Sequence, residues 1–382
     1  MAEIDKALPN EVRKEVDLPG IEEQVEIKDE ILENAPNPSD VEITELEDGG
    51  VELNFEPGAY NTAQGEGHFD NLAELLPDDV LDPLGNQLYA NFIDYKNSRK
   101  DWEQGYITGL DLLGFKYVQR TEPFSGASGA THPVLAEAVT QFQALAYKEL
   151  LPADGPVRTQ ILGIQDPAKE QQARRVKDFM NYEIMNNITD YEPDFDQLLF
   201  YLPLAGSAFK KVYYDEVEGQ AVSKFVPADD LVVPYSATSL EDAESIIHVV
   251  RMSENDLRKQ QVNGFYKDID LTPGPVNETE SEKKERELSG EKKTKDGGVF
   301  TLLEVHTELD LEGFEDVSSE GQPTGIKIPY IVTVEESSGQ VLSIRRNFEI
   351  GDIKKRRISY FVHFKFLPGL GFYGFGLIHM IG

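Results

Sequence analysis

Three glycines near the end of the chain come closest to a chemical signature. Gly369, Gly371 and Gly374 satisfy G-x-G-x-x-G directly after the alternating run Ile358 to Phe366. At such a place a dinucleotide's pyrophosphate would meet backbone amides at a helix N-terminus. That loop requires bare backbone against phosphate, whereas Phe372 and Tyr373 put rings in its variable positions and Pro368 removes a donor. No ribose-binding carboxylate or second strand follows. A dinucleotide-dependent oxidoreductase therefore stands only as an alternative.

The remaining reactive side chains are scattered. His68 follows a Gly-Glu-Gly stretch, and His132 precedes a helical pattern; His306 lies with Glu304 and Glu308 on the polar side of an alternating run, and His363 with Ser359 and Lys365. His248 and His379 have apolar neighbours and read as packing histidines. No H-E-x-x-H, G-x-S-x-G or calcium-loop pattern occurs, and Ser125 to His132 lacks the G-K-[ST] of a phosphate-cradling loop. Asp229 with Asp230 favours a turn or a helix start. Two basic runs read first as solvated: Lys354, Lys355, Arg356 and Arg357 between two strands, and Arg174, Arg175 and Lys177 on a helix. Their functional alternatives are contact with an acidic neighbour, another copy of the chain or DNA for the first, and an inter-subunit salt-bridge row for the second. We expect no catalytic residue, no cofactor and no metal ligand set.

The elements that would position these groups change period near residue 207. From Leu81, Leu84, Leu88, Phe92 and Tyr95 run on through Trp102, Tyr106, Leu110 and Leu113 at helical steps, which predicts one long helix or two nearly collinear ones, with Trp102 in the core. A second helix has Pro133 in its first turn and Leu135, Val139, Phe142, Leu145 and Leu150 along one side. A third starts at Asp166 as N-cap with Pro167 and continues through Val176, Met180 and Ile184. A fourth begins near Pro193, with Phe195, Leu198, Leu199 and Leu202 in register.

Beyond that block, Phe209 to Tyr214 and Ala221 to Val226 read as a hairpin, Ile246 to Val250 as a strand, and Ser253 as the cap of a short helix ending near Gly264. Further strands are predicted at 299–309, at 326–334 with Ile326, Ile328, Tyr330, Val332 and Val334 on one face, and at 341–347. The last, 358–366, has Ile358, Tyr360, Val362, Phe364 and Phe366 on one face. The fold class is α+β, a helical block followed by a β-rich block, without internal repeats.

Composition bounds the function. At 382 residues with 40% hydrophobic content, part of the chain is expected to be unpacked. The net charge of −34 argues against a free-standing grip on duplex DNA, which needs Lys and Arg to displace counterions. The absence of cysteine excludes disulfides and thiol chemistry. Residues 1–66 are strongly acidic and poor in clustered apolar residues, so an acidic disordered tail is expected there. Within it, 41–55 alternates well enough to pair with a partner's sheet edge. The polar run 272–298 is expected to be a disordered charged loop. The sequence thus divides into 1–66, a helical block 67–206, a mixed β/α region 207–271, the loop 272–298, a β-rich region 299–376 and the start of an apolar segment, 377–382. The first residues lack the apolar core of a signal peptide and no run approaches a membrane span, so a cytosolic product without membrane contact is expected.

Three stretches, in order, resemble one family. Phe366 to Gly382 (FLPGLGFYGFGLIHMIG) is similar to the segment of short-tailed bacteriophage portal, or head-to-tail connector, proteins where the wing domain passes into the stem helix. Gly206 to Asp215 (GSAFKKVYYD) resembles the same family, as does Phe225 to Tyr266, with VPADDLVVP, SLEDAES and IIHVVRMSENDLRKQQVNGFY. The resemblance implies a portal wing-like fold with stem and clip lying beyond Gly382, so the reading frame is expected to run on. The 382-residue piece alone is then expected to be poorly soluble and unable to close a ring. It further implies a homo-oligomeric ring of about twelve subunits at a capsid vertex, assembled in the host cytoplasm. Such a ring is docked by terminase, capsid and tail or adaptor proteins, and double-stranded DNA passes through it without sequence-specific binding. The alternative within the same setting is another virion structural or adaptor protein.

Overall fold

The computed structural model describes residues 42–45, 51–54, 67–113, 124, 126, 132–163, 166–215, 219–274, 279–290, 299–317, 322–369 and 371–380. The chain divides into two units, Met1–His68 and Phe69–Gly382. In the first, β1 (Glu42–Glu45) and β2 (Val51–Asn54) pair antiparallel with each other, so the alternation at 41–55 is satisfied within the chain itself. The rest of the expected acidic tail lies outside the described residues.

The second unit opens with two helices, α1 (Asp78–Ser98) and α2 (Lys100–Leu110), separated at Arg99. Next come α3 (Val134–Leu150), α4 (Pro167–Tyr182) and α5 (Tyr191–Ala205). The predicted cap at Asp166 forms, its carboxylate accepting from the Ala168 amide. Val176 and Met180 lie on α4 as the spacing predicts, with Ile184 in the π-helical turn that follows, and the helix buries none of its residues.

Two antiparallel sheets follow. The three-stranded sheet has the order β10 (Phe361–Lys365), β3 (Ser207–Asp215), β4 (Gln220–Pro227). The five-stranded sheet runs β5 (Leu231–Val232), β6 (Ser245–Ser253), β7 (Val299–Leu309), β8 (Ile328–Glu335), β9 (Val341–Arg346). Because side chains alternate across a strand, Leu303 and Val305 join Val332, Val334 and Ile344 under α1, with Leu81, Leu88 and Phe92. Phe300 and Leu302 face the other way, onto Leu257 of α6 (Glu254–Val262). Ser253 caps α6 as predicted, accepting from the Asp256 amide. A separate cluster joins α2, α3 and α5 to the three-stranded sheet through Tyr106, Leu135, Val139, Leu198, Phe209 and Val226.

Two strand faces differ from their sequence reading. Ile326 lies outside β8 and is exposed. In β10 the inward residues are Phe361 and His363, while Val362 is exposed. The aromatic neighbours of this strand make both faces apolar in sequence, and pairing with β3 selects the one carrying the histidine. The expected loop 272–298 also needs correction. Glu280–Ser289 forms a helix, α7, opened by a complete capping box between Thr279 and Glu282 and closed by Gly290 in the left-handed region. A short helix, α8 (Leu377–Met380), ends the described chain.

Candidate functional site

The glycine-rich stretch after β10 packs onto the junction of α5 and β3. Gly206 caps α5 at φ 88, a left-handed conformation that a side chain would strain. Its carbonyl accepts from the Phe366 amide at 3.0 Å, and the loop closes on itself by paired Leu367 and Phe375 backbone bonds of 2.9 and 3.3 Å. The Gly374 amide donates to Ser207 Oγ at 2.7 Å, and the Gly376 amide to His379 Nδ1 at 3.1 Å. A methyl group on Gly206 would strike the backbone of Gly376 and Phe375, and one on Gly376 would strike the Leu204 carbonyl. These glycines therefore serve backbone-to-backbone packing.

The rings between the glycines are locked by the same junction. Phe372 stacks on His363 at 4.7 Å and on Phe209 at 5.9 Å; Tyr373 stacks on Trp102 at 4.8 Å. Arg99, buried at the α1–α2 break, donates to the Tyr373 hydroxyl and to the carbonyls of Ala228, Asp229 and Leu231. Of the motif's amides, Gly374's is engaged with Ser207, and the helix that follows is a single turn. The arrangement does not fit a pyrophosphate cradle.

A second constellation lies between the two sheets. Glu304 and His306 share the face of β7 that carries Phe300 and Leu302, so the strand that supplies apolar residues under α6 supplies charged ones under β3 and β10. Lys211 Nζ reaches the two Glu304 oxygens at 2.7 and 2.6 Å, and His306 Nε2 lies 2.7 Å from Oε1. His306 is 2% exposed, so the polar side of this run faces into the fold. Burial alone would push the Glu304 carboxyl up, but Lys211 and His306 hold it well below the usual carboxylate range. Burial drives His248, on the neighbouring strand, down to about 3, and leaves its Nδ1 without a hydrogen bond. His363 is likewise held near 3, first by burial and then by Lys365. Two of the six histidines thus sit as neutral packing groups at physiological pH.

The third constellation is the surface onto which α7 docks. The Tyr106 hydroxyl donates to Glu285 Oε1 at 2.5 Å, Lys284 pairs with Asp111 at 2.6 Å, and Arg251 pairs with Glu282 and with Asp230. Burial, reinforced by Asp229 and Asp230 and opposed by the Tyr106 hydrogen bond, raises Glu285 to about 7. Burial also raises Asp229. The helix is hard to read from 272–298 because its only strong signals are the Thr279/Glu282 box and Gly290; Leu288 is the one apolar side chain of α7 that packs inward, beside polar contacts such as Tyr106 to Glu285.

The basic runs separate. Lys355 pairs with Asp316 at 2.5 Å, Arg356 with Asp352 at 3.0 Å, and Arg357 donates to the carbonyls of Leu240, Glu241 and Ala243, closing the SLEDAES turn. Two of the run's four charges are thus paired with acids of the same chain, and a third is held by carbonyls. On α4, Arg174 makes only a 4.0 Å approach to Asp178, and the helix stays open. His68 is half-buried and His132 exposed. A cleft of about 330 Å³ borders Tyr89, Thr301, Glu335 and Ser337, but the Glu335 carboxylate is already held by the Ser337 and Ser338 hydroxyls and the Ser338 amide. Among the described residues, no three acidic or histidine side chains are grouped to hold a metal ion, and no helix is long and apolar enough to cross a membrane. Comparison with known proteins returns no family model and no curated relative that matches this chain.

Proposed function

We propose that the chain is a structural subunit of a bacteriophage portal ring, a conduit for packaging and ejecting double-stranded DNA at the capsid vertex. Terminase, capsid and tail or adaptor proteins dock on the ring, and ATP hydrolysis belongs to the terminase motor. The observation that carries the reading is the meeting of the portal-like stretches. Gly206 to Asp215 pairs with the strand that feeds the Gly-aromatic segment, Ser207 opposite Lys365 and Lys211 opposite Phe361, and the segment folds back onto Gly206. VPADDLVVP joins them through the Arg99 and Tyr373 contacts with the Leu231 carbonyl. Stretches distant in sequence thus form one structural unit, as expected if they are inherited together.

Open apolar faces support the assembly part of the reading. Phe179, Leu145, Leu162 and Tyr182 are all more than half exposed, in a chain whose net charge of −34 otherwise favours solution. An acidic ring would let DNA slide instead of gripping it.

The test is light scattering of the complete gene product across ionic strength. The mass should rise to that of a closed oligomer as salt screens repulsion between copies. A monomer at every salt concentration overturns the proposal, and an assembled particle without a central channel replaces it with the adaptor reading.

A further inference from the structure

Unlike the inter-sheet cluster, the α7 dock and the cleft beside Glu335, whose polar groups are held within the fold, the face of α4 is open to a partner. Val176, Phe179 and Met180 stand at i, i+3 and i+4 on α4, 44%, 63% and 44% exposed. Isolated helices of this length are marginal in water, and an apolar stripe on a helix is ordinarily what holds it to its domain. Here the stripe stays substantially exposed. Around it stand Arg174, Arg175 and Lys177, so α4 carries four basic residues against two acidic ones in a chain of net charge −34. Beside it a groove of about 420 Å³ lies between α4 and residues 159–161.

A matching surface exists elsewhere on the same chain. At the turn leading into α1, Leu75 is 63% exposed, and Glu74, Asp79 and Asp82 stand exposed nearby without an ion pair among the described residues. One surface is apolar and basic, the other apolar and acidic. Since the two are different patches, their contact between copies is head-to-tail, the type that generates rings when the rotation closes.

We propose that α4, through Val176, Phe179 and Met180 with Arg174, Arg175 and Lys177, docks on the Glu74–Asp82 surface of a second copy of this chain. This rests on the portal reading for the closure of the contact into a ring, but not for the contact itself. Apolar burial supplies the affinity, and charge complementarity fixes which face meets which.

The experiment uses two charge-reversed forms of the complete gene product, Arg174→Glu/Arg175→Glu/Lys177→Glu and Glu74→Lys/Asp79→Lys/Asp82→Lys. Sedimentation is measured at the salt concentration where the unaltered protein assembles. Each variant alone sets like charges against like and should self-associate at least about 100-fold more weakly. An equal mixture restores opposite charges at every contact and should recover assembly. Thermal melts check folding; should either variant melt early, Phe179→Ser/Met180→Ser and Leu75→Ser test the same contact without reversing charge. Assembly of both variants like the unaltered protein, or failure of the mixture to recover, overturns the contact and leaves the portal reading standing. A dimer lost in each variant and recovered in the mixture upholds the contact and overturns the ring. A monomer at every salt concentration overturns both.

Discussion

Around Gly206 the chain buries Phe209, Phe372 and Ile378 with its own backbone and rings; along α4 it fully buries no side chain. At the first place Phe372 and Tyr373 are held by His363, Phe209 and Trp102, and buried polar atoms find partners such as Ser207 and Leu231. At the second, a helix as long as any in the fold except α1 and α3 leaves its apolar stripe open. Both stretches carry large apolar side chains at regular spacing, so the spacing alone does not say which of them is covered. The difference is what each apolar face meets: in one the fold itself, in the other whatever arrives from outside. Stability should therefore reside in the first region and association in the second.

The sharpest break on the packed side is Gly206→Ala. It places a side chain at φ 88 and drives a methyl into the Gly376 backbone, so a loss of upward of ~4 kcal/mol is expected in urea unfolding. Glu304→Ala comes next. It strands the Lys211 ammonium between two sheets and should cost about 3–5 kcal/mol, while replacing Lys211 and Glu304 together with leucine should cost much less, because the desolvation of both charges disappears with them.

Acid should act on the same region. His248 and His363, near 3 in the fold against about 6.5 unfolded, contribute stability that is present at neutral pH and lost as pH falls from about 6.5 toward 3. Roughly 3 kcal/mol should be gone by pH 5, and His363→Phe should remove part of that slope. Glu285 has the opposite sign. Its pKa is raised to about 7, so its contribution is present below about 4.5 and lost as pH rises through 7; Glu285→Gln should flatten that limb, an effect of roughly 2 kcal/mol read by proteolysis near α7. The smallest stability effect is expected at Phe179→Ser, within about 0.5 kcal/mol, because the side chain is 63% exposed in the fold. If that substitution destabilises the isolated subunit strongly, α4 is packed after all and the contrast between the two regions fails.

Much of the fold was legible because its signals are local. The Asp166–Pro167 cap, the Ser253 cap, the helical step from Leu84 to Phe92 and the hairpin of β3 and β4 each follow from residues within a few positions. What was not legible depends on distant partners. Glu304 and His306 look like a solvated face until Lys211, far away in sequence, is laid over them. The β10 register could not be read from FVHFKF, where aromatic residues occupy both faces; only the pairing of His363 with Phe209 chooses. α7 was hidden by its polarity, with Leu288 as its one inward apolar side chain beside the Tyr106–Glu285 bond, and the exposure of α4 was not legible because periodicity reports amphipathicity, not burial. Nor does G-x-G-x-x-G reveal whether its glycines admit a phosphate or another stretch of backbone; Gly206 decides for backbone.

The proposed portal role requires this chain to close into a ring. Negative-stain electron microscopy of the purified complete gene product would show it as annular particles with a central channel and about twelve-fold rotational symmetry in end views. A field of monomers, or of compact oligomers without a channel, under the salt conditions that screen the acidic surface would contradict it.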